Sequence, residues 1–281
     1  MENFIQITEY PVQPVLDLLL ADHTTKANIV FATDSYAYLG SEYQESCQIR
    51  EELLSNMALQ PRVLKRIQEQ KNRTVKRAEV MTSARIVNEM NNLCDEAWFG
   101  YKDVFNKTDR EKWITNKEKI HFPKGATWQQ YAESMRLETA CGEAPYLVSR
   151  YDTTTGESIP VKDRIGQLDR KLRVVGENTE SKEEWLKWTI RTVQSTYGYE
   201  VQGDSVLISR CNLLYTFTDY MENRWKQIPT IPELWEIADI ISWNIWQMDG
   251  ITDMVPFKPL PARIYDWKFG KAITFSSLKS A

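Results

Sequence analysis

The chain has 281 residues, 42% hydrophobic and 26% charged, a globular composition that excludes a disordered or fibrous protein. Lys and Arg number 35 against 39 Asp and Glu, so the net charge of −4 provides no overall positive field toward nucleic acid or an anionic membrane. Any such contact has to use a local patch.

The longest apolar stretch near the start, residues 15–21, is interrupted by Asp17 and falls far short of the ~20 residues of a bilayer span. The Met-Glu-Asn opening lacks a basic leader region. Cys47, Cys94, Cys141 and Cys211 are too widely spaced for a zinc knuckle and too sparse for a disulfide scaffold, which leads to the expectation of a reducing, cytoplasmic location. His23 and His121 are too few for a His-based metal site or a Ser-His-Asp triad, so no metal is expected.

In chain order, residues 1–60 predict a short helix at 15–21, a strand at 27–33 and a helix ending near Met57. No Pro/Gly/Ser-rich linker follows, so these sixty residues should pack as an extension on a single α/β domain, 61–281. The stretch 61–77 then sets Arg62, Lys65, Arg66, Lys71, Arg73, Lys76 and Arg77 against Glu69 alone. It reads either as a solvated helix face or as a contact for phosphate. Residues 79–92 predict a helix with Thr82 or Ser83 as N-cap ahead of an apolar stripe, Ile86, Val87 and Met90. Its free N–H groups would suit a carboxylate or phosphate. Residues 98–135 are Trp-rich and predict loop and short helix.

Residues 136–145, Arg-Leu-Glu-Thr-Ala-Cys-Gly-Glu-Ala-Pro, predict a strand over 137–140, a small-residue turn and a helix from about Tyr146. Small residues let a ligand approach the backbone closely. A second strand over 196–200 ends on Glu200, and a helix opens near Asp204 with Val206, Leu207, Arg210, Leu213 and Leu214 on its faces. An acid at the carboxyl end of a strand, some distance after such a turn, is where nucleotide folds bind ribose hydroxyls.

These residues bring a family into view. Leu137-Glu-Thr-Ala-Cys-Gly-Glu-Ala144 resembles the first motif of S-adenosylmethionine-dependent DNA methyltransferases that act on adenine amino groups. Tyr197-Gly-Tyr-Glu200 followed by Ser209-Arg-Cys-Asn-Leu213 is similar to their second motif, and Glu79-Val-Met-Thr-Ser looks like the box preceding the first motif in modification subunits of restriction systems. The resemblance implies a Rossmann-like α/β fold, mostly parallel, with helices on both faces and an insertion at about 152–194. It also implies S-adenosylmethionine as cofactor, its adenosine near Glu200 and its methionine part near Glu138, Cys141, Gly142 and the Thr82 helix start.

The sequence departs from that pattern at several places. Ser83 and Ala144 stand where the family has Pro and Gly. A third strand is expected near 249–252, followed by Met254, Val255, Pro256 and Phe257 on the catalytic box, with Asp253 as substitute acceptor for the adenine amino group. That box works by accepting from the amino nitrogen while an aromatic ring stacks on the flipped base. Met254 cannot accept that bond, so little or no methyl transfer is expected of the chain alone.

Arg164, Arg170, Lys171 and Arg173 form a second basic stretch that reads as a nucleic-acid contact or a surface face. Trp225, Trp235, Trp243, Trp246 and Trp267 read more readily as core or interface than as a base-stacking platform. A hairpin is expected over 263–275, closing the sheet. Two functions follow. One is a methyltransferase-like cofactor-binding protein related to restriction-modification subunits and contacting DNA. The other is a silent relative from a mobile element that binds and inhibits a nucleic-acid defence enzyme, a restriction or CRISPR effector.

Overall fold

A computed structural model describes residues 4–77, 79–110 and 112–279, excluding the side chains of Lys76 and Arg77. The N-terminal part contains helix α1 (Leu16–Leu20), a small pair β1 (Ala21–Asp22) and β2 (Ala27–Asn28), α2 (Glu51–Leu54), and α3 (Ile67–Arg77). Next come α4 (Ala84–Phe99), the hairpin β3 (Asn106–Asp109) and β4 (Lys112–Thr115), and α5 (Trp128–Ala132). The central elements are β5 (Arg136–Glu138), α6 (Gln167–Asn178), α7 (Lys182–Gln194), β6 (Thr196–Glu200), α8 (Gly203–Trp225), α9 (Ile231–Asn244) and β7 (Ile245–Gln247). A hairpin of β8 (Arg263–Asp266) and β9 (Lys271–Thr274) follows.

The three central strands form a parallel sheet in the order β5-β6-β7, with Leu137 opposite Tyr197 and Tyr199 opposite Trp246. Parallel neighbours need a long crossover. The β5-to-β6 crossover includes α6 and α7, so the stretch read as an insertion contains the connection itself. The third strand lies at Ile245–Gln247, not near 249–252. Ile245, Trp246 and Gln247 are buried, whereas Asp249 takes the N–H of Ile251 in a turn whose Ile251 is 94% exposed. The remaining sheets are two-stranded and antiparallel.

The pleat sends Gly198 and Ile245 to one face and Tyr197 and Trp246 to the other. Ile245 joins the main core with α8 and α9, while Tyr197 and Trp246 pack with Met248, Val255, Ala262, Ile264 and Phe275. The hairpin thus covers the second face where helices were expected, and it pairs only with itself instead of closing the sheet.

Helix α8 is buried around its whole circumference, from Val206 and Leu207 to Phe217 and Met221, the pattern of a central helix. It starts at Gly203, whose N–H donates to Phe31 O; an added Cβ there would stand 2.0 Å from Val30 O. Gln247 extends this junction, accepting from Val30 N–H and donating to the carbonyls of Val30 and Val201. Leu19, Phe31, Ile49 and Leu54 lie in the same core as α8. Of the strand read over 27–33, only Ala27–Asn28 and a bridge from Val30 to Gln48 form. Helix α9 opens at Thr230, whose N–H donates to Glu233 Oε2 at 2.7 Å.

Two helix readings change. Residues 141–150 form turns, not a helix, because Glu138 accepts the N–H groups of Tyr146 and Leu147. In α4 the inner face is Val87, Asn88, Asn91 and Asp95, whereas Ile86 and Met90 are 41% and 49% exposed. Polar residues face inward there because Asn91 donates to the carbonyls of Tyr146 and Ile165, and Asp95 meets Arg170 and Tyr131.

Candidate functional site

The carboxyl ends of β5 and β6 face each other across a turn whose Ala140, Gly142 and Ala144 have φ of +47°, +55° and +62°. Left-handed residues at alternate positions bend the backbone toward an anion-holding concavity. Here the turn meets a carboxylate of its own chain: Gly142 N–H donates to Glu200 Oε2 at 3.0 Å, and Cys141 N–H to Tyr199 O at 2.8 Å. Glu200 Oε1 also accepts from Val201 and Gln202. Gly198 lets the turn lean on β6, since a Cβ would lie 3.2 Å from Cys141 Sγ.

The second motif holds this turn from below. Ser209 Oγ donates to Gly142 O, and Asn212 Nδ2 to Glu143 O at 3.1 Å. Glu138, Cys141, Gly142 and Glu200 are therefore brought together as their order in the sequence implied. Burial pushes the Glu200 carboxyl up, opposed by the N–H groups of Gln202, Gly142 and Val201. It also pushes the Cys141 thiol well up, leaving it unreactive.

Burial raises Glu138 to about 8, the N–H bonds from Tyr146 and Leu147 opposing the shift. A carboxyl raised in the folded state binds its proton more tightly there, so its stabilisation is complete below about pH 4.5 and declines up to about 8. Wild type should lose on the order of 4 kcal/mol from this group over that range. Glu138→Gln should flatten that part of the profile, as urea unfolding at pH 5, 7 and 9 would measure. An undiminished slope in the variant would refute the assignment.

The upstream box packs against this end of the sheet. Glu79 is buried against Arg73 and Arg62 and accepts from Gln202 Nε2 at 3.1 Å. Ser83 occupies the N-cap of α4 without a side-chain bond; Asp152 caps instead, accepting from Ala84 N–H at 2.8 Å. Thr82 contributes its carbonyl to Thr153. The helix start read as an open anion site is thus engaged by Asp152.

Several residues read as nucleic-acid contacts turn inward. Lys65 and Arg73 are buried on Asp204, and Arg62 lies on Glu79. Arg170 is enclosed by Asp95, Asn88 and Asn92, while Lys171 donates to Ser134 O and Ser195 Oγ. Burial drives Lys171 well below the usual lysine range. Arg164 binds Asp219, and Arg173 binds Glu177. Arg66 remains exposed, and the side chains of Lys76 and Arg77 lie outside the described residues.

The catalytic-box candidates follow β7, which pairs with β6 and not with β5. Asp253 Oδ1 and Oδ2 accept from Lys279 Nζ at 2.7 and 2.8 Å, engaging the substitute acceptor. Phe257 is 59% exposed, and Pro256 is half-buried. Gly250 closes this loop on β6: a Cβ there would lie 2.8 Å from the Tyr199 ring. The residues missed in the sequence are Gln202, whose buried Oε1 has no hydrogen-bond partner among the described residues, and Asp204, which reads locally only as a helix start.

S-adenosylmethionine can be tested against this geometry. Gln202 Oε1 beside Glu200 is a buried acceptor suited to a hydroxyl, and only the Met81 thioether comes within 4 Å of a Cβ built at Gly142. A hydroxyl group is what this unpartnered acceptor would take. No described helix is long and apolar enough to cross a membrane, and no described group of His, Cys, Asp and Glu forms a metal cluster. Comparisons with protein-family models, curated proteins and solved structures give no match.

Proposed function

We propose that the chain is a methyltransferase-like protein that binds S-adenosylmethionine at the carboxyl ends of β5, β6 and β7. The observation carrying this reading is the strand order: β7-β6-β5 is the 3-2-1 arrangement of the first half of a doubly wound sheet. In that half, a small-residue turn follows the first strand and an acid closes the second, the positions of Gly142 and Glu200. Glu200 and Gln202 would hold the ribose hydroxyls, and the Glu138–Gly142 end would receive the methionine part. The cofactor supplies an electrophilic methyl group when bound.

This alignment gives residues 248–257 a different place. They follow the third strand of that half, so in this reading they border the nucleoside in place of forming the base-holding box. The proposal is therefore of a cofactor-binding chain with no transfer to adenine in DNA on its own.

Calorimetry with S-adenosylmethionine and S-adenosylhomocysteine tests it. Glu200→Gln keeps one acceptor but loses charge, and should weaken binding about ten- to a hundredfold with its melting temperature followed as a control. Absence of wild-type binding at millimolar cofactor would remove the reading in favour of a silent binding body. Labelled methyl transfer to DNA by the isolated chain would contradict the predicted inactivity.

A further inference from the structure

The basic stretch after Arg164 forms one wall of a cavity of about 420 Å³ between α6, the end of α8 and β4. Its volume lies in the range of small-molecule sites. Phe105, Trp185 and Tyr220 back its lining, each less than a tenth exposed, while Lys117, Lys162 and Arg164 bring positive charge. The acids on its lining have partners of their own, except that Asp169 Oδ1 has none among the described residues. Asp163 accepts from Thr115, Glu177 from Arg173 and Ile120 N–H, and Asp169 from Ser149 and Gly166 beside the Arg164 charge.

The cations have spare capacity. Arg164 has a side chain 7% exposed; its Nε donates to Ile159 O and its Nη2 to Asp219, but buried Nη1 has no partner among the described residues. Lys117 and Lys162 are exposed and make no ion pair or hydrogen bond among the described residues. A buried guanidinium donor and two unpaired ammonium groups on one cavity match the oxygens of a compact anion.

We propose that this cavity binds the phosphate group of a small phosphorylated molecule, of nucleoside monophosphate size, through Lys117, Lys162 and Arg164 Nη1. The site is separate from the proposed cofactor site, and contains neither Glu200 nor the 139–148 turn.

Calorimetry with adenosine monophosphate, inorganic phosphate and adenosine tests the proposal. Saturable binding of adenosine monophosphate with a dissociation constant below about 1 mM is expected, with competition by inorganic phosphate. The exposed substitutions Lys117→Glu and Lys162→Glu together should weaken it at least about tenfold while leaving the melting temperature unchanged. S-adenosylmethionine titrations of the same variant distinguish the two sites, since any binding there should be unaffected. Absence of saturable nucleotide binding up to about 10 mM, equal affinity for adenosine, or equal affinity in the double variant would each overturn the proposal.

Discussion

Asp204→Ala is expected to destabilise the protein by about 3–5 kcal/mol, because it removes the buried carboxylate that Lys65 and Arg73 share, leaving Arg73 with Glu79 and Lys65 with only the longer contact to Glu69. Asp204 Oδ2 accepts from Arg73 Nη1 at 2.9 Å, Lys65 Nζ at 3.0 Å and the Tyr36 hydroxyl at 3.0 Å. Its Oδ1 takes Arg73 Nη2 and the N–H of Ser205. Burial alone would raise this carboxyl, but the charges of Arg73 and Lys65 hold it far below the usual range. A depressed carboxyl contributes stability above its unfolded value of 3.8 and loses it as pH falls further, so acid sensitivity from this group belongs below about pH 4. Urea unfolding measures the loss. Amide exchange should also accelerate over residues 62–77, which this charge anchors; unchanged stability would remove Asp204 from that role.

The second large effect is expected at Arg210. Its guanidinium is buried and donates to four carbonyls: Leu19 O at 2.7 Å, Ala21 O and Ser242 O at 2.9 Å, and Ile245 O at 2.8 Å. It makes no salt bridge among the described residues. Burial lowers it to about 10, with Asp22 opposing, so it remains charged at neutral pH. Arg210→Met keeps much of the apolar stem but leaves those carbonyls without their donor. A loss of about 3–5 kcal/mol follows from the unsatisfied acceptors. Equilibrium unfolding checks it, with far-ultraviolet circular dichroism following the helices; Arg210→Lys should recover only part, because one ammonium cannot span all four acceptors.

Strand β6, the long helix after it and the final hairpin were legible because each carries its own local signal. Tyr197-Gly-Tyr-Glu200 is aromatic and ends on an acid, and Lys268-Phe-Gly270 marks the hairpin turn, with Gly270 at φ +62°. The direction of the basic run was not legible, since Arg73 shares with Lys65 an acid 131 residues away, beside its nearer partner Glu79. Local charge density cannot distinguish a solvated cation from one paired across the fold. The helix expected at Tyr146 failed for a related reason: Glu138 captures two backbone N–H groups of that turn. In the candidate site, the turn and Glu200 were readable from residue type and spacing. Asp152 as the helix cap, Gln202 as a spare acceptor and Lys279 on Asp253 depended on tertiary approach.

The junction of Val30 and Phe31 with Gly203 and Gln247 bears on synthesis at the ribosome. Leu19, Phe31 and Ile49 emerge early, yet the helix they cover begins at Gly203, and the amide that clasps Val30 arrives later still. At ordinary elongation rates that interval is roughly 10–35 s, during which these apolar side chains have no final docking surface. The nascent N-terminal segment consequently keeps those side chains uncovered until α8 is translated.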